Sequence, residues 1–386
     1  MDRLPPAPWT RREDLGRLVA ALGAGNARWV GGAVRDTFLG IEVKDVDLAT
    51  PLLPDEVVRR LKSAEIRSVP TGIEHGTITA ILPQGPVEIT TLRHDVTTDG
   101  RRATVAFAQD WRDDAARRDF TINALYADPV SGEIADYFGG LTDLAARRVR
   151  FIGDAHQRIR EDHLRILRYF RFQARFGSQP ADEVSENACA ELAPTLKGLS
   201  RERIGMEMLN LLGLPDPAPT IARMAQLGVL AVVLPEGNVA ALALLIAEEQ
   251  RQSVQPDALR RLAALLPADV TQAEAVASRF RLSGAQKKRL ALAAGRDSMA
   301  AEARAQAYRL GREAALDRLL LTGADIAPLQ GWDMPTFPLK GGQIVAAGVK
   351  AGPEVARILQ TVEAQWISEG FPDEARVLKI LSENLP

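Results

Sequence analysis

The chain holds one cysteine, Cys189, and four histidines, none of them beyond position 163. A single thiol permits neither a disulfide framework nor a cysteine-built zinc site. The absence of later histidines excludes a histidine-dependent metallohydrolase from the C-terminal half. Charge of one sign is not in excess either: 48 basic and 50 acidic residues leave a net charge of −2. Nucleic-acid-binding domains often carry a basic balance, so any such role here must rest on local basic patches. No run of about 18 apolar residues occurs, so no segment is expected to span a membrane. The opening "MDRLPPAPWTRRED" has no apolar core and does not read as a signal peptide, which gives a cytoplasmic expectation. Internal repeats and low-complexity tracts are missing, and no protein partner is inferable.

What is present is globular. The chain has 386 residues, 46% hydrophobic and 25% charged, and that length argues for more than one domain. The first 150 residues are mixed. "PDEVVRRLK" (54–62) reads as a short helix with Pro54 near its start. The runs "IRSVP", "GTITAILP" and "VEITTLR" are β-branched and punctuated by Pro and Gly, as antiparallel strands are. The polar stretch from His94 to Asp119 reads as a mobile loop leading to a further helical piece. From about Glu161, Leu, Ala and Arg recur at helical spacing and β-rich runs disappear. "GLPDPAPT", "LPEGN" and "LSGAQKK" break this part into helices. "GGQIVAAGVKAGPEVARIL" reads as two short helices about a Gly-Pro turn, with Pro353 at a first helical position.

The chemistry concentrates in "RWVGGAVRDTFLGIEVKDVDLAT" (28–50). "WVGG" ends an apolar run and "AVRDTFL" starts a helix, giving strand, glycine turn, helix. Such a turn lets the backbone approach a phosphate, and unpaired N–H groups at a helix start bind it. Arg35, one turn in, has the fork to add a bidentate contact. A plain tight turn is the other reading. Asp45 and Asp47 alternate with Val46, so on a strand they share a face while Val46 and Leu48 point into the sheet. Two carboxylates that close repel unless a cation sits between them, and Mg2+ takes oxygen ligands shared with substrate phosphates. The alternative is an exposed strand end with two solvated acids. Next to a phosphate-type turn, the metal reading is the better one.

Gly-Gly-x-Val-Arg-Asp followed by Asp-x-Asp resembles the nucleotidyltransferases of the DNA polymerase beta superfamily. More narrowly, the chain resembles the bacterial tRNA nucleotidyltransferase (CCA-adding enzyme) and poly(A) polymerase family. "HGTITAIL", "VEITTLR", "RRDFTINALYAD", "YFGGLTDLAARRVRFIGD", "EDHLRILRYFRF" and "LSRERIGMEML" follow in order, so the likeness covers roughly residues 28–210. The tail matches only loosely.

The resemblance implies an α+β fold: an N-terminal polymerase-beta-like nucleotidyltransferase domain with a small antiparallel or mixed sheet, then an elongated all-helical region. It divides the chain into a catalytic head (1–150), a helical neck for nucleotide recognition and RNA binding (151–215), and a body and tail for tRNA binding (216–386). It implies template-independent addition of C and A from CTP and ATP to the tRNA 3′ end, with pyrophosphate released. Poly(A) polymerase, CC-adding and A-adding enzymes share the motif set, and a non-catalytic RNA-binding protein of this fold is the reading from another class. Some relatives append a phosphohydrolase, against which the missing histidines argue.

By the same resemblance Asp45 and Asp47 hold Mg2+ and are catalytic, while Gly32 and Arg35 hold the triphosphate. Arg118 and Asp119, at the start of an expected helix, contact the nucleotide's phosphates and ribose. For Asp119 a helix-dipole role is the competing reading. Glu88 is either a third carboxylate or a salt-bridge partner and is not counted among the sites. In "EDHLRILRYFRF", Asp162, Arg165, Arg168 and Arg171 recur every third residue. On one helix they would form a stripe of about 14 Å at about 1.5 Å per residue. Glu161 and Arg165 are also spaced as a surface ion pair. Arg171 turns toward the side where Leu164 and Leu167 pack.

Asp162 and Arg165 have a further logic. Cytosine and adenine both present an amino donor beside a ring-nitrogen acceptor. A carboxylate accepts from the first and a guanidinium donates to the second. Uracil and guanine invert the pattern, and a site built on buried hydrogen bonds rejects the wrong one by about 10⁴. In the flexible region Arg101, Arg102 and Asp110 are candidates for the change from C to A addition. The basic cluster "RFRLSGAQKKRLALAAGR" (279–296) either grips RNA phosphates or is a solvated face. Cys189 reads as a small packed side chain.

Overall fold

The computed structural model describes residues 2–99, 102–298 and 302–385; Arg101 lies outside them. Contacts divide the chain into two compact units. The first comprises Met1–Glu207 with Pro219–Pro235, and the second Met208–Ala218 with Glu236–Pro386.

The first unit is built on β1 (Arg28–Val30), β2 (Asp47–Thr50), β3 (Ser68–Gly72), β4 (Thr77–Leu82), β5 (Gly85–Thr91), β6 (Arg93–Asp99), β7 (Arg102–Phe107), β8 (Leu125–Ala127) and β9 (Ile134–Asp136). Seven of these form one mixed sheet in the order β3-β4-β5-β2-β1-β8-β9, and β6 and β7 pair separately. The three runs expected to be antiparallel strands are β3, β4 and β5. The pairing that matters for chemistry is β2 with β5. It is parallel and puts Asp47 beside Glu88, with Leu48 beside Ile89. Because side chains alternate, the two acids share one face while Leu48 and Ile89 are buried beneath.

Three readings change. Residues 94–119 are not simply a loop: β6 and β7 form an antiparallel hairpin, followed by a helix over Trp111–Ala116. The β-branched residues of "DVTT" and "TVAF" suit a two-stranded ribbon, a signal that the polar composition obscured. Arg118 and Asp119 do not start an α-helix. Phe120 bridges to Phe151, only a 3-10 turn over Thr121–Asn123 follows, and β8 begins at once. Asp162 is not on the helix that carries Arg165. A first helix ends at Glu161, Asp162 is extended (φ −150°, ψ 104°), and the next runs Arg165–Phe176.

That helix is fixed through aromatics. Phe172 packs 4.9 Å from Phe120 and 5.5 Å from Phe176, and Tyr169 stacks on Phe151 at 5.7 Å. Cys189 is fully buried, and burial followed by the nearby Glu186 charge pushes its thiol well up.

The second unit is helical. One core joins Leu245, Leu319 and Ile326, and another joins Ile344, Ile358, Val362 and Trp366. Charge is buried here too: Glu249 accepts from Arg260 at 2.7 Å and Arg261 at 2.9 Å, and Asp317 accepts from Arg260 and Arg289. Pro353 opens a helix as expected, but that helix runs 16 residues to Ser368 and is not short. Among the described residues no helix is long and apolar enough to cross a membrane.

Candidate active site

Gly31 sits between β1 and the helix Gly32–Phe38 with φ +68° and ψ −124°, backbone that a side chain rarely tolerates. This is the strand, glycine turn and helix expected from "WVGGAVRD". Arg118 lies against the turn, its Nη1 3.5 Å from where a Gly31 Cβ would stand.

Across from the turn are the acids. Asp45 is exposed just ahead of β2, Asp47 is the first residue of β2, and the intervening Val46 is buried. Burial pushes the Asp47 carboxyl up, and the charges of Glu88 and Asp45 add to the push, while Arg118 opposes it. Asp47 therefore sits among like charges with one guanidinium as counterweight. Glu88 is exposed, and its place in register with Asp47 makes it the carboxylate most directly coupled to that site. Among the described residues no three His, Cys, Asp or Glu converge into a closed metal cage. Two carboxylates without a cage suit a cation that completes its shell with water and phosphate oxygens.

Arg118 owes its position to residues that the sequence reading did not single out. Its Nε donates to the Tyr126 hydroxyl at 3.0 Å and its Nη2 to Asp114 Oδ2 at 3.2 Å. Tyr126 donates to the same Asp114 oxygen at 2.6 Å. Asp114, 1% exposed, also takes Arg117 and the backbone N–H of Arg93 at the root of the hairpin. Burial acts to raise its carboxyl, but Arg118 and Arg117 outweigh that and hold it below the usual range. The one trace of this in the sequence is an acid four residues ahead of Arg118.

Arg35 is engaged within the protein. It is 6% exposed, its Nε donates to Asp36 at 2.7 Å and its Nη1 to Asn123 at 2.5 Å. Its guanidinium also lies 4.0 Å over the Phe176 ring. Those bonds make it a brace between the Gly32–Phe38 helix and the Thr121–Asn123 turn. Asn123 in turn donates to Asp119 Oδ1 at 3.0 Å.

Asp119 and Arg168, singled out separately, are one ion pair: Arg168 donates to Asp119 Oδ2 from Nε at 3.0 Å and Nη2 at 2.5 Å. Burial works to raise the Asp119 carboxyl, and Arg168 with Asn123 overrides it, so the group lies below its ordinary value. Arg171 is held by Glu207 at 2.7 Å. Arg165 does pair with Glu161, at 2.6 Å, but both are largely buried, and it also donates to the carbonyls of Arg158 and Arg117. Asp162 accepts from Arg203 rather than from Arg165. The four-residue stripe is thus three arginines on one helix, with Asp162 at the break ahead of them.

In the 279–296 cluster, Arg279 pairs with Glu236 and Arg289 with Asp257, Glu313 and Asp317. Arg281 and Lys288 are the exposed cations of that stretch.

A crowded acid pair on a mixed sheet, faced by a glycine turn and a pinned arginine, defines a nucleotidyltransferase. Comparison with known proteins narrows this class. Residues 27–150 match the Poly A polymerase head domain, and residues 182–240 match the probable RNA and SrmB-binding site of polymerase A. Over 365 residues the chain is 36% identical to the mitochondrial CCA tRNA nucleotidyltransferase 1 of Mus musculus, covering 89% of this chain and 83% of that one. It is 43% identical to the CCA-adding enzyme of Leuconostoc citreum over 188 residues, 48% of this chain and 45% of the relative. The crystal structure of the Bacillus stearothermophilus CCA-adding enzyme in complex with CTP superposes with a TM-score of 0.75 at 25% identity, over 96% of this chain and 97% of that one. The chain belongs to the CCA tRNA nucleotidyltransferase family, whose members generally use a divalent metal.

Proposed function

We propose that this enzyme adds C and A from CTP and ATP to the 3′ end of tRNA, releasing pyrophosphate, with Mg2+ at Asp45 and Asp47. The observation that carries the reading is Asp47: a carboxylate in register with Glu88, two residues after Asp45, and opposed by Arg118. That is a site short of positive charge beside a turn suited to phosphate. A bound magnesium ion would lower the pKa of the RNA 3′-hydroxyl and offset charge on the leaving pyrophosphate.

The chain's own residues do the positioning. Gly31 and Gly32 let the triphosphate approach the backbone, and Arg118, held by Asp114 and Tyr126, offers it a fixed guanidinium. Arg35 serves the triphosphate indirectly by holding Asn123, and through it Asp119. Asp119 with Arg168 addresses the ribose and phosphates, and Arg171 holds the helix in place through Glu207. Asp162 accepts from the amino group of cytosine or adenine and Arg165 donates to the ring nitrogen. In this reading residues 1–150 are the catalytic head, 151–215 select the nucleotide, and 216–386 bind tRNA. A cytoplasmic location belongs to the same proposal, although the mouse and human relatives are named as mitochondrial.

The test is incorporation into tRNA lacking its 3′ end, with each nucleoside triphosphate supplied singly and then together. Addition of C, then of A once two C residues are present, is expected. Incorporation of A alone into unrelated RNAs would move the enzyme to poly(A) synthesis. Addition stopping after C, or requiring a CC end, would make it a CC-adding or A-adding enzyme.

A further inference from the structure

The segment "LSRERIGMEML" enters the scheme above only through Glu207, yet its helix, Arg201–Leu212, reaches the nucleotide-selecting residues at two points. Arg203 and Glu207 are one turn apart and so share a face. Arg203 Nη2 donates to Asp162 Oδ2 at 2.7 Å. Glu207, largely buried, accepts from Arg171 at 2.7 Å and lies 3.9 Å from Arg168. The other Asp162 oxygen, Oδ1, accepts from the backbone N–H of Leu164 at 3.1 Å.

Both carboxylate oxygens of Asp162 are therefore tied, one by the chain itself and one by Arg203. An ionised carboxylate has about four acceptor positions, so each oxygen keeps one for a base, in a direction set by those two bonds. Asp162 needs the help. It lies in the break between two helices, half-exposed, where the backbone fixes the side chain on one side only.

We propose that Arg203 is a positioning residue for base selection: it fixes the direction in which Asp162 meets the base and so enforces refusal of uracil and guanine. The inference rests on the base-reading role given to Asp162 above. Discrimination here depends on repulsion as much as attraction. A pinned carboxylate facing the O4 of uracil or the O6 of guanine cannot swing away. A carboxylate released from Arg203 can rotate, relieving that repulsion while still finding the amino group of the correct base.

The experiment measures kcat/KM for CTP and UTP with tRNA lacking its 3′ end, in wild type, Arg203→Ala, Arg203→Gln, Arg203→Lys and Asp162→Ala, with thermal melts to confirm folding. We expect the CTP/UTP ratio to fall about tenfold or more in the Ala and Gln variants, since loss of an oriented hydrogen-bonding group is worth at least that in selectivity. Lys, which can still donate to Oδ2, should restore most of it. Should Arg203→Ala not fold, Arg203→Gln keeps a polar side chain, shorter than arginine and without the charge, and is read in the same way. A ratio within about threefold of wild type in the Arg203 variants, alongside collapse in Asp162→Ala, overturns the inference and leaves the base-reading role standing. An unchanged ratio in Asp162→Ala overturns that role, and this inference with it.

Discussion

At the scale of single residues, Asp47 and Asp114 are opposite cases of a carboxylate in a protein. Asp47 is pushed up by burial and by its neighbours Glu88 and Asp45, with Arg118 opposing, so the fold holds its charge at a cost that a bound divalent cation would further offset. Asp47→Asn or Asp45→Ala should lower nucleotide incorporation by about a thousandfold, the loss of several kcal/mol of charge stabilisation. Magnesium at ten times its dissociation constant should stabilise the wild type by about 1.4 kcal/mol and raise its melting temperature, but not that of either variant. An equal rise in all three would remove the metal from this site. Asp114 is held below the usual carboxylate range, burial being outweighed by Arg118 and Arg117. Its folded value is below its unfolded one, so its contribution is present above about pH 4 and fades as acid takes the pH down through the folded value. Asp114→Asn should cost about 2 kcal/mol at neutral pH, a difference that urea melts at falling pH should see shrink. It should also raise the KM for CTP about tenfold, because a charge-assisted bond positioning Arg118 is worth about that much. The two aspartates were not equally legible. Asp45 and Asp47 announce themselves by spacing and by the adjacent glycines. Asp114 is one acid among several in "WRDDAARRD", and only the approach of Tyr126 from β8 singles it out.

Elements were legible where one local rule decided them. Strand, glycine turn and helix at 28–38 follow from an apolar run, Gly31 and a helical pattern, and β3 to β5 follow from β-branched runs between turn residues. The misreadings fell where local pattern and tertiary contact disagree. The three-residue spacing from Asp162 to Arg171 fits one helix, but the chain breaks after Glu161, and Asp162 turns out to meet Arg203. "RRDFTINAL" has helical composition, yet Phe120 is drawn to Phe151 and the chain enters β8 after one turn. The second glycine pair explains part of that. A Cβ on Gly140 would stand 2.3 Å from the Thr121 carbonyl oxygen and 3.0 Å from Leu125. The segment after β9 can therefore press directly on the turn that presents Asn123. Gly140→Ala has no flexible side chain to push aside. It should destabilise the protein by about 2–3 kcal/mol, the usual cost of overpacking, and lower activity further than the stability loss explains, since Asn123 ties Arg35 to Asp119. A variant with wild-type melting and turnover would mean that the turn is not held this way.

At the scale of the whole molecule, both units combine apolar cores with buried ion pairs, and the organisation of the sheet unit was the more legible in the sequence. The sheet unit announced its organisation through motifs because its glycines and acids are constrained by a site. The helical unit shows Leu, Ala and Arg at helical spacing, which says helices but not which faces meet. The 279–296 cluster reads as either an RNA-gripping or a solvated basic face, yet its Arg289 is tied to Asp317; Arg260 and Arg261, which drew no reading, are buried beside Glu249. Composition cannot show such pairing, because a buried and a solvated arginine are the same letter. Glu249 is the more exposed to mutation in an energetic sense: it neutralises two guanidiniums at once, so its loss leaves both without that carboxylate. Glu249→Ala should cost about 3–5 kcal/mol, the typical penalty for breaking a buried ion pair from one side. Hydrogen exchange should locate the damage, with faster amides in the helices Val239–Arg251 and Ala258–Leu265 and unchanged protection in β1, β2 and β5. Uniform loss of protection through both units would show that they unfold as one. Unchanged exchange everywhere would show that Glu249 does not carry the charge balance of the helical unit.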